Sequence, residues 1–230
     1  MIGTFCKLNH ESRNDNFLVW EILIMPYGKF ATIGQVAETF GIILRKKWFL
    51  QDVKKNSIEV PDYKQAEIKK RLSNTAALRN EAARCNQIIT PILNIVVDEH
   101  EPLQLWIEES FNVDEDNGLT GTPDYLIALE TAGEEMAIPP ICVIEAKQDK
   151  FDEGWTQALA EMVAASLKGS RICFGIVTTG KAWEFGLLEN RVFTREPDQI
   201  TTRDLQELFD TLNWIVSLAE KELLKTDRSG

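Results

Sequence analysis

Between Leu103 and Arg195 the sequence breaks into short apolar runs whose length and β-branched content suit strands rather than helices. The runs are Leu103 to Phe111, Tyr125 to Leu129, Ile141 to Lys147, Ile172 to Thr178, Ala182 to Leu188 and Arg191 to Arg195. Thr179-Gly180 and Glu189-Asn190 read as turns between the last three. One helical interval, from about Glu153 to Leu167 and ending near Gly169, separates the third run from the fourth. A polar-to-amphipathic stretch precedes the series, from Pro61 to about Val97. Its later part sets Ala77, Glu81, Arg84, Ile88, Ile92 and Ile95 at helical spacing, and Pro91 should kink or divide that helix. The chain closes with a helix from about Thr202 whose apolar face is Leu205, Leu208, Leu212, Ile215 and Leu218. Helix, three strands, helix, two or three strands, helix predicts a mixed sheet flanked by helices, in the α/β to α+β range.

Residues 1 to about 60 read as a small N-terminal appendage, with residues 61–230 as the main domain. In the appendage, Phe17 to Met25 is an apolar run ended by Pro26-Tyr27-Gly28, and Thr32 is placed to cap a helix through Val36, Phe40 and Ile43. At 230 residues and 44% hydrophobic content the chain can bury one sizeable core. No run reaches the roughly 18 apolar residues of a membrane span, and charged side chains throughout the first twenty residues do not read as a signal peptide. Cys6, Cys85, Cys142 and Cys173 form no CxxC pair, which suits reduced thiols and a cytoplasmic setting. With His10 and His100 the only histidines, a histidine-rich zinc site or a His-based triad is improbable, and any metal would be held by oxygen, favouring magnesium or manganese.

Two motifs stand at the ends of predicted strands. Gly121-Thr-Pro-Asp124 opens the second, and twenty-one residues after the aspartate Glu145-Ala-Lys147 closes the third. Acid-x-Lys triplets recur at Asp52-Val-Lys54, Asp62-Tyr-Lys64 and Glu67-Ile-Lys69, but in polar, helix-like sequence where the side chains are simply solvated. Only Glu145 and Lys147 follow an apolar run, and residues two apart on a strand share a face. Hairpin pairing would bring Asp124 beside Glu145. Two apposed carboxylates repel unless a cation lies between them, and Asp124, Glu145 and the Ala146 carbonyl form an oxygen set for magnesium. Such a metal lowers the pKa of bound water, and Lys147 is placed to orient that water or to stabilise charge on a phosphate. Gln157, ten residues beyond Lys147, is either a surface amide or one that holds substrate or water. Glu81 is either an i to i+3 partner of Arg84 or an accessory acid for a second metal.

Glu81, Gly121-x-Pro-Asp124, Glu145-x-Lys147 and Gln157, in this order, resemble the PD-(D/E)xK, or restriction-endonuclease-like, nuclease superfamily. The wording is similar to the nuclease modules of type I restriction subunits, including a downstream hairpin here written Phe174-Gly-Ile-Val-Thr-Thr-Gly180-Lys-Ala-Trp183-Glu-Phe185. The match runs from about Asn80 to Phe185. It implies an αβββαβ core, metal ligation by Asp124 and Glu145, catalytic support from Lys147 and accessory roles for Glu81 and Gln157. Some relatives carry an aromatic residue four after the glutamine, where this chain has Glu161.

The resemblance therefore implies a Mg2+- or Mn2+-dependent nuclease, most simply a DNA endonuclease. The alternative is a catalytically silent scaffold or interaction module of the same fold. A net charge of −11 argues against a nucleic-acid partner, but its distribution is uneven. Gly41 to Arg84 carries eleven Lys/Arg against five Asp/Glu, while Asp98 to Asp116 carries eight acids and no Lys or Arg. That pattern fits a basic arm beside an acidic site, or equally a solvated helical face. Dimers are common in the superfamily, so a homodimer is one expectation. A protein partner that recognises the target is another.

Overall fold

The computed structural model describes residues 27–50 and 57–227. The apolar run Phe17 to Met25 and the Asp52-Val-Lys54 triplet lie outside the described residues. In chain order the elements are α1 (Ile33–Phe40), β1 (Ile43–Lys46), α2 (Asp62–Leu72), α3 (Glu81–Arg84), a π turn (Cys85–Ile89), α4 (Thr90–Val97), β2 (Leu103–Ile107), β3 (Tyr125–Leu129), β4 (Cys142–Ala146), α5 (Phe151–Leu167), β5 (Ile172–Thr178), β6 (Ala182–Glu189), β7 (Val192–Arg195), β8 (Ile200–Thr201) and α6 (Leu205–Asp227).

All eight strands join one sheet in the order β1-β7-β6-β5-β4-β3-β2, with β8 beside β6. Strands β2, β3 and β4 pair antiparallel, and α5 then carries the chain across to β5, which runs parallel to β4. A helix, three antiparallel strands, a crossover helix and a parallel strand make up the expected αβββαβ core. A crossover is required here because parallel neighbours cannot be joined by a tight turn. Four strands rather than two or three follow α5, the extra one being the two-residue β8.

The sheet separates two cores. On one side the π turn, α4 and α6 bury Ile88, Ile92, Val96, Leu208, Leu212 and Ile215 against Tyr125, Ile144, Phe174, Trp183 and Phe185. On the other side α5 lays Trp155, Leu159, Met162 and Val163 over Leu126, Val143, Cys173 and Val177. Alternation along β6 sends Trp183 and Phe185 to the first core and Glu184 and Gly186 to the second. A Cβ on Gly186 would stand 2.8 Å from the Trp155 ring, so only glycine lets that indole lie flat on the sheet.

Three local expectations are corrected. The helix capped by Thr32, whose hydroxyl accepts the Gln35 N–H at 3.2 Å, stops at Phe40 because Gly41 turns left-handed (φ 65°). Ile43 therefore begins β1 instead of extending that helix. Residues 27–50 do not stand apart as an appendage: β1 pairs parallel with β7 at one edge of the common sheet, and Val36 packs in the α5 core. Upstream of Pro91, Asn80 caps the helix by accepting the Ala83 N–H at 2.8 Å, leaving Ala77 outside it. Around Pro91 the α-helical pattern is divided as expected, the proline standing in the first turn of α4. A π turn just before it, closed by the Thr90 N–H on the Cys85 carbonyl, takes up the missing proline donor.

Candidate active site

The register of β3 and β4 determines where the two motifs meet. Tyr125 pairs with Ile144, so Asp124, one residue before β3, stands across from Glu145 near the end of β4. The carboxylate of Asp124 then turns onto the neighbouring strand, where its Oδ2 accepts the Ala146 N–H at 2.7 Å. Lys147 leaves β4 with its own N–H on the Thr178 carbonyl at 2.8 Å. Its Nζ lies 2.7 Å from Glu145 Oε2 and 3.9 Å from Asp124 Oδ2. Asp124, Glu145, Ala146 and Lys147 thus form one compact unit at the strand ends. Above it, α5 crosses at a glycine: a Cβ on Gly154 would meet Val177 Cγ1 at 2.5 Å and Lys147 Cγ at 3.1 Å. The absent side chain is what lets the helix press on the lysine.

Burial shapes the charges. The Glu145 side chain is 2% exposed. Desolvation, then the charge of Glu145, pushes the Asp124 carboxyl up to about 7, against the opposing effects of Lys147 and the Ala146 N–H. At Lys147 desolvation alone would lower the pKa. The carboxylates of Glu145 and Asp124 outweigh it, so the ammonium is held more strongly than usual. Glu81, first residue of α3, acts on both Asp124 and Lys147 from the margin of the unit. It is not paired with Arg84, whose guanidinium donates to the carbonyls of Leu78, Gln148 and Thr179 and so pins the loop after Lys147. Gln157, partly buried, lies one turn before Glu161 on the same face of α5.

Three residues join this neighbourhood without a role having been assigned to them from sequence. Glu161 is fully buried on α5, and neither of its carboxylate oxygens has a hydrogen-bond partner. Desolvation, and next the charge of Glu145, raise its pKa well above the usual carboxylate range. Its signal was an acid within the otherwise apolar run Ala158 to Ala165. Cys85, on the π turn, lies within range of Asp124, Glu81 and Lys147, and burial raises its thiol. Tyr27 donates its hydroxyl to the Phe111 carbonyl, and desolvation followed by Glu161 and Glu145 raises its pKa. No sequence pattern around Tyr27 marks it.

Among the described residues no three His, Cys, Asp or Glu side chains already converge as a metal cage, and the Lys147 ammonium stands between Glu145 and Asp124. The donors the unit offers are hard oxygens, the type that suits Mg2+ or Mn2+.

No protein-family model matches the chain. Over 82 residues it is 33% identical to Crinkler effector protein 5 of Phytophthora infestans, a match covering 35% of this chain and 23% of that protein. The chain thus spans under a quarter of the curated relative. Among solved structures it is similar to DrdV in a DrdV–DNA complex (16% identity, TM-score 0.43, covering 67% of this chain and 14% of that one). It is also similar to a candidate nuclease of DUF820 from Anabaena variabilis (15% identity, TM-score 0.35, covering 67% of this chain and 84% of that one). The strand order and crossover described above match the αβββαβ core expected from the sequence resemblance.

Proposed function

We propose that this chain is a divalent-cation-dependent nuclease, a hydrolase that cuts phosphodiester bonds, most simply in DNA. The observation that carries this reading is the apposition of Asp124 and Glu145 at adjoining strand ends, with Lys147 Nζ within 4 Å of both. Asp124, Glu145 and the Ala146 carbonyl would hold Mg2+ or Mn2+, with Glu81 as an accessory acid. A bound cation of that kind lowers the pKa of a water and offsets charge on the scissile phosphate.

The protein's own groups supply the rest. Asp124 is fixed by the Ala146 N–H, so its free oxygen faces the site with little rotational freedom. Lys147, held protonated by its carboxylate neighbours, donates to the attacking water or to a phosphate oxygen, stabilising the extra charge of the pentavalent transition state. Gln157 adds a neutral amide from α5 that can hold substrate without adding charge. The basic residues on and around α2, among them Lys64, Lys69, Lys70 and Arg71, offer a track for the phosphate backbone. We assign the nuclease domain to residues 61–230, completed by the strand and helix of residues 27–50. A homodimer, or a second protein that selects the target, would extend the recognition surface. No helix among the described residues is long and apolar enough to cross a membrane, and a cytoplasmic setting suits the free thiols of Cys85, Cys142 and Cys173.

A second reading, a silent binding module of the same fold, is favoured by the net charge of −11. One assay separates the two. Duplex, nicked, branched and single-stranded substrates are incubated with the protein and Mg2+ or Mn2+. Cleavage of at least one substrate that is lost in both Asp124→Ala and Lys147→Ala supports the nuclease. Cleavage that survives Lys147→Ala refutes this site, and no cleavage of any substrate supports the module.

A further inference from the structure

A buried glutamate with no partner is an expensive thing to keep. Apart from Trp183 Nε1 in the opposite core, the two oxygens of Glu161 are the only buried side-chain polar atoms without a hydrogen bond among the described residues. Apart from Gln157 one turn before it, the helix around Glu161 is apolar: Ala158, Leu159, Ala160, Met162, Val163, Ala164 and Ala165 are all buried. A methionine or leucine at this position would fill the same space without the cost of desolvating a carboxyl. An ordinary explanation fails on geometry. Glu161 is no structural ion pair, because the nearby ammonium of Lys147 is hydrogen-bonded to Glu145. The nearest charged neighbour of Glu161 is another acid: Glu145 is close enough to share a proton with it when no cation is bound, which helps hold Glu161 neutral, although no hydrogen bond of ordinary geometry joins the two.

The groups that act on Glu161 are those of the strand-end unit: Glu145 most strongly, then Asp124 and Lys147. We propose that Glu161 is a third carboxylate ligand of the divalent cation, so that helix α5 closes a site whose other two carboxylates come from β3 and β4. This inference rests on the metal-dependent reading above. Charge supports it. Asp124, Glu145 and Glu161 carry three formal negative charges and Lys147 one positive, so a single divalent ion makes the cluster neutral. Without Glu161 the same ion would leave the buried unit positive. With Glu161 ionised and no ion it would be left doubly negative. Three carboxylates and the Ala146 carbonyl are oxygen ligands of the type preferred by Mg2+ and Mn2+. Ligation would satisfy the one acid in the α5 core that the protein itself leaves unsatisfied. It would also tie α5 to the strand ends at Glu161, one turn from Gln157, so that ion binding orders the amide that faces substrate.

The test is Mn2+ binding by the full chain, followed by titration calorimetry and by the rise in melting temperature that the ion produces. Glutamine has the shape of a neutral glutamic acid but cannot neutralise a cation, so Glu161→Gln discriminates charge from shape. The expected result is that Glu161→Gln weakens Mn2+ binding by about tenfold or more and shrinks the thermal shift, while metal-free melting is kept or raised. Asp124→Asn serves as the reference for loss of a strand ligand. If Glu161→Gln binds Mn2+ with less than about a tenfold loss while Asp124→Asn abolishes binding, the strands alone hold the ion and this inference is overturned. If the intact protein shows neither heat nor thermal shift, both this inference and the metal-dependent reading fall. Should Glu161→Gln not fold, Glu161→Asp keeps the charge but withdraws it by one methylene. Weaker Mn2+ binding by that variant supports ligation, and unchanged binding overturns it.

Discussion

Glu184, on β6 beneath α5, and Glu161, on α5 itself, are both buried, yet their surroundings could hardly differ more. Glu184 accepts the indole N–H of Trp155, the guanidinium of Arg195 and the amide of Gln199, and Arg195 also stacks 5.2 Å above the Trp155 ring. Glu161 accepts nothing and lies in the field of Glu145. One buried acid is supplied with donors on every side, the other is left short of positive charge. Satisfied networks rigidify a core, whereas unsatisfied acids are stable only if something else arrives. The contrast marks the β6–β7 end of this face as architecture and, on the function proposed above, the β3–β4 end as the site that binds.

The contrast breaks most completely if the two ends respond alike to mutation. Asp124→Ala and Lys147→Ala are expected to lower cleavage by roughly 10²–10³-fold or more while leaving circular dichroism unchanged, as single-turnover assays would reveal. Glu184→Ala should do the reverse. It strands Arg195 and the Trp155 N–H, and denaturant unfolding should show a loss of about 3 kcal/mol with Mn2+ affinity little altered. A loss of ion binding in Glu184→Ala at temperatures where the protein is folded would erase the division.

Two smaller effects sharpen it. In metal-free protein the folded-state pKa of Asp124, about 7, lies above its unfolded value, so the folded state binds the proton more tightly. The stability this provides is fully present below about pH 4 and is lost as pH rises to about 7, by on the order of 2 kcal/mol. Melting temperature measured in chelator should therefore fall across that window, and Asp124→Asn should flatten the fall. Smallest is Gly154→Ala, which presses on Val177 and Lys147. A loss of about 1–3 kcal/mol is expected from overpacking, read by thermal melting.

Asp124, Glu145 and Lys147 were legible in the sequence because strand geometry alone implies their meeting: both motifs sit at the ends of apolar runs, and period two aligns the glutamate with the lysine. The strand series and its single crossover were legible for the same reason. Glu161 was visible only as an unexpected letter, since its significance lies in burial and missing partners, which no local pattern encodes. Glu184 hides likewise as one alternation of a strand. The place of residues 27–50 was unreadable because Ile43 pairs with Val192, and an apolar run does not name a partner 149 positions away. Pro91 announced a disturbance in the helix but not its form.

That form has a consequence of its own. A π turn is an α-helix carrying one residue too many, so everything upstream is rotated by about 100° relative to everything downstream. Ile88, Ile89, Ile92 and Leu93 follow the phase of the core, whereas Glu81 follows a second phase, set before the turn, that brings its charge to bear on Asp124 and Lys147. Deleting one residue from Cys85–Ile89 would let the helix run unbroken, and the acid would swing away from the strand ends while the isoleucines stayed in place. One surplus residue lets a single helix serve a dry core and a charged cluster at once.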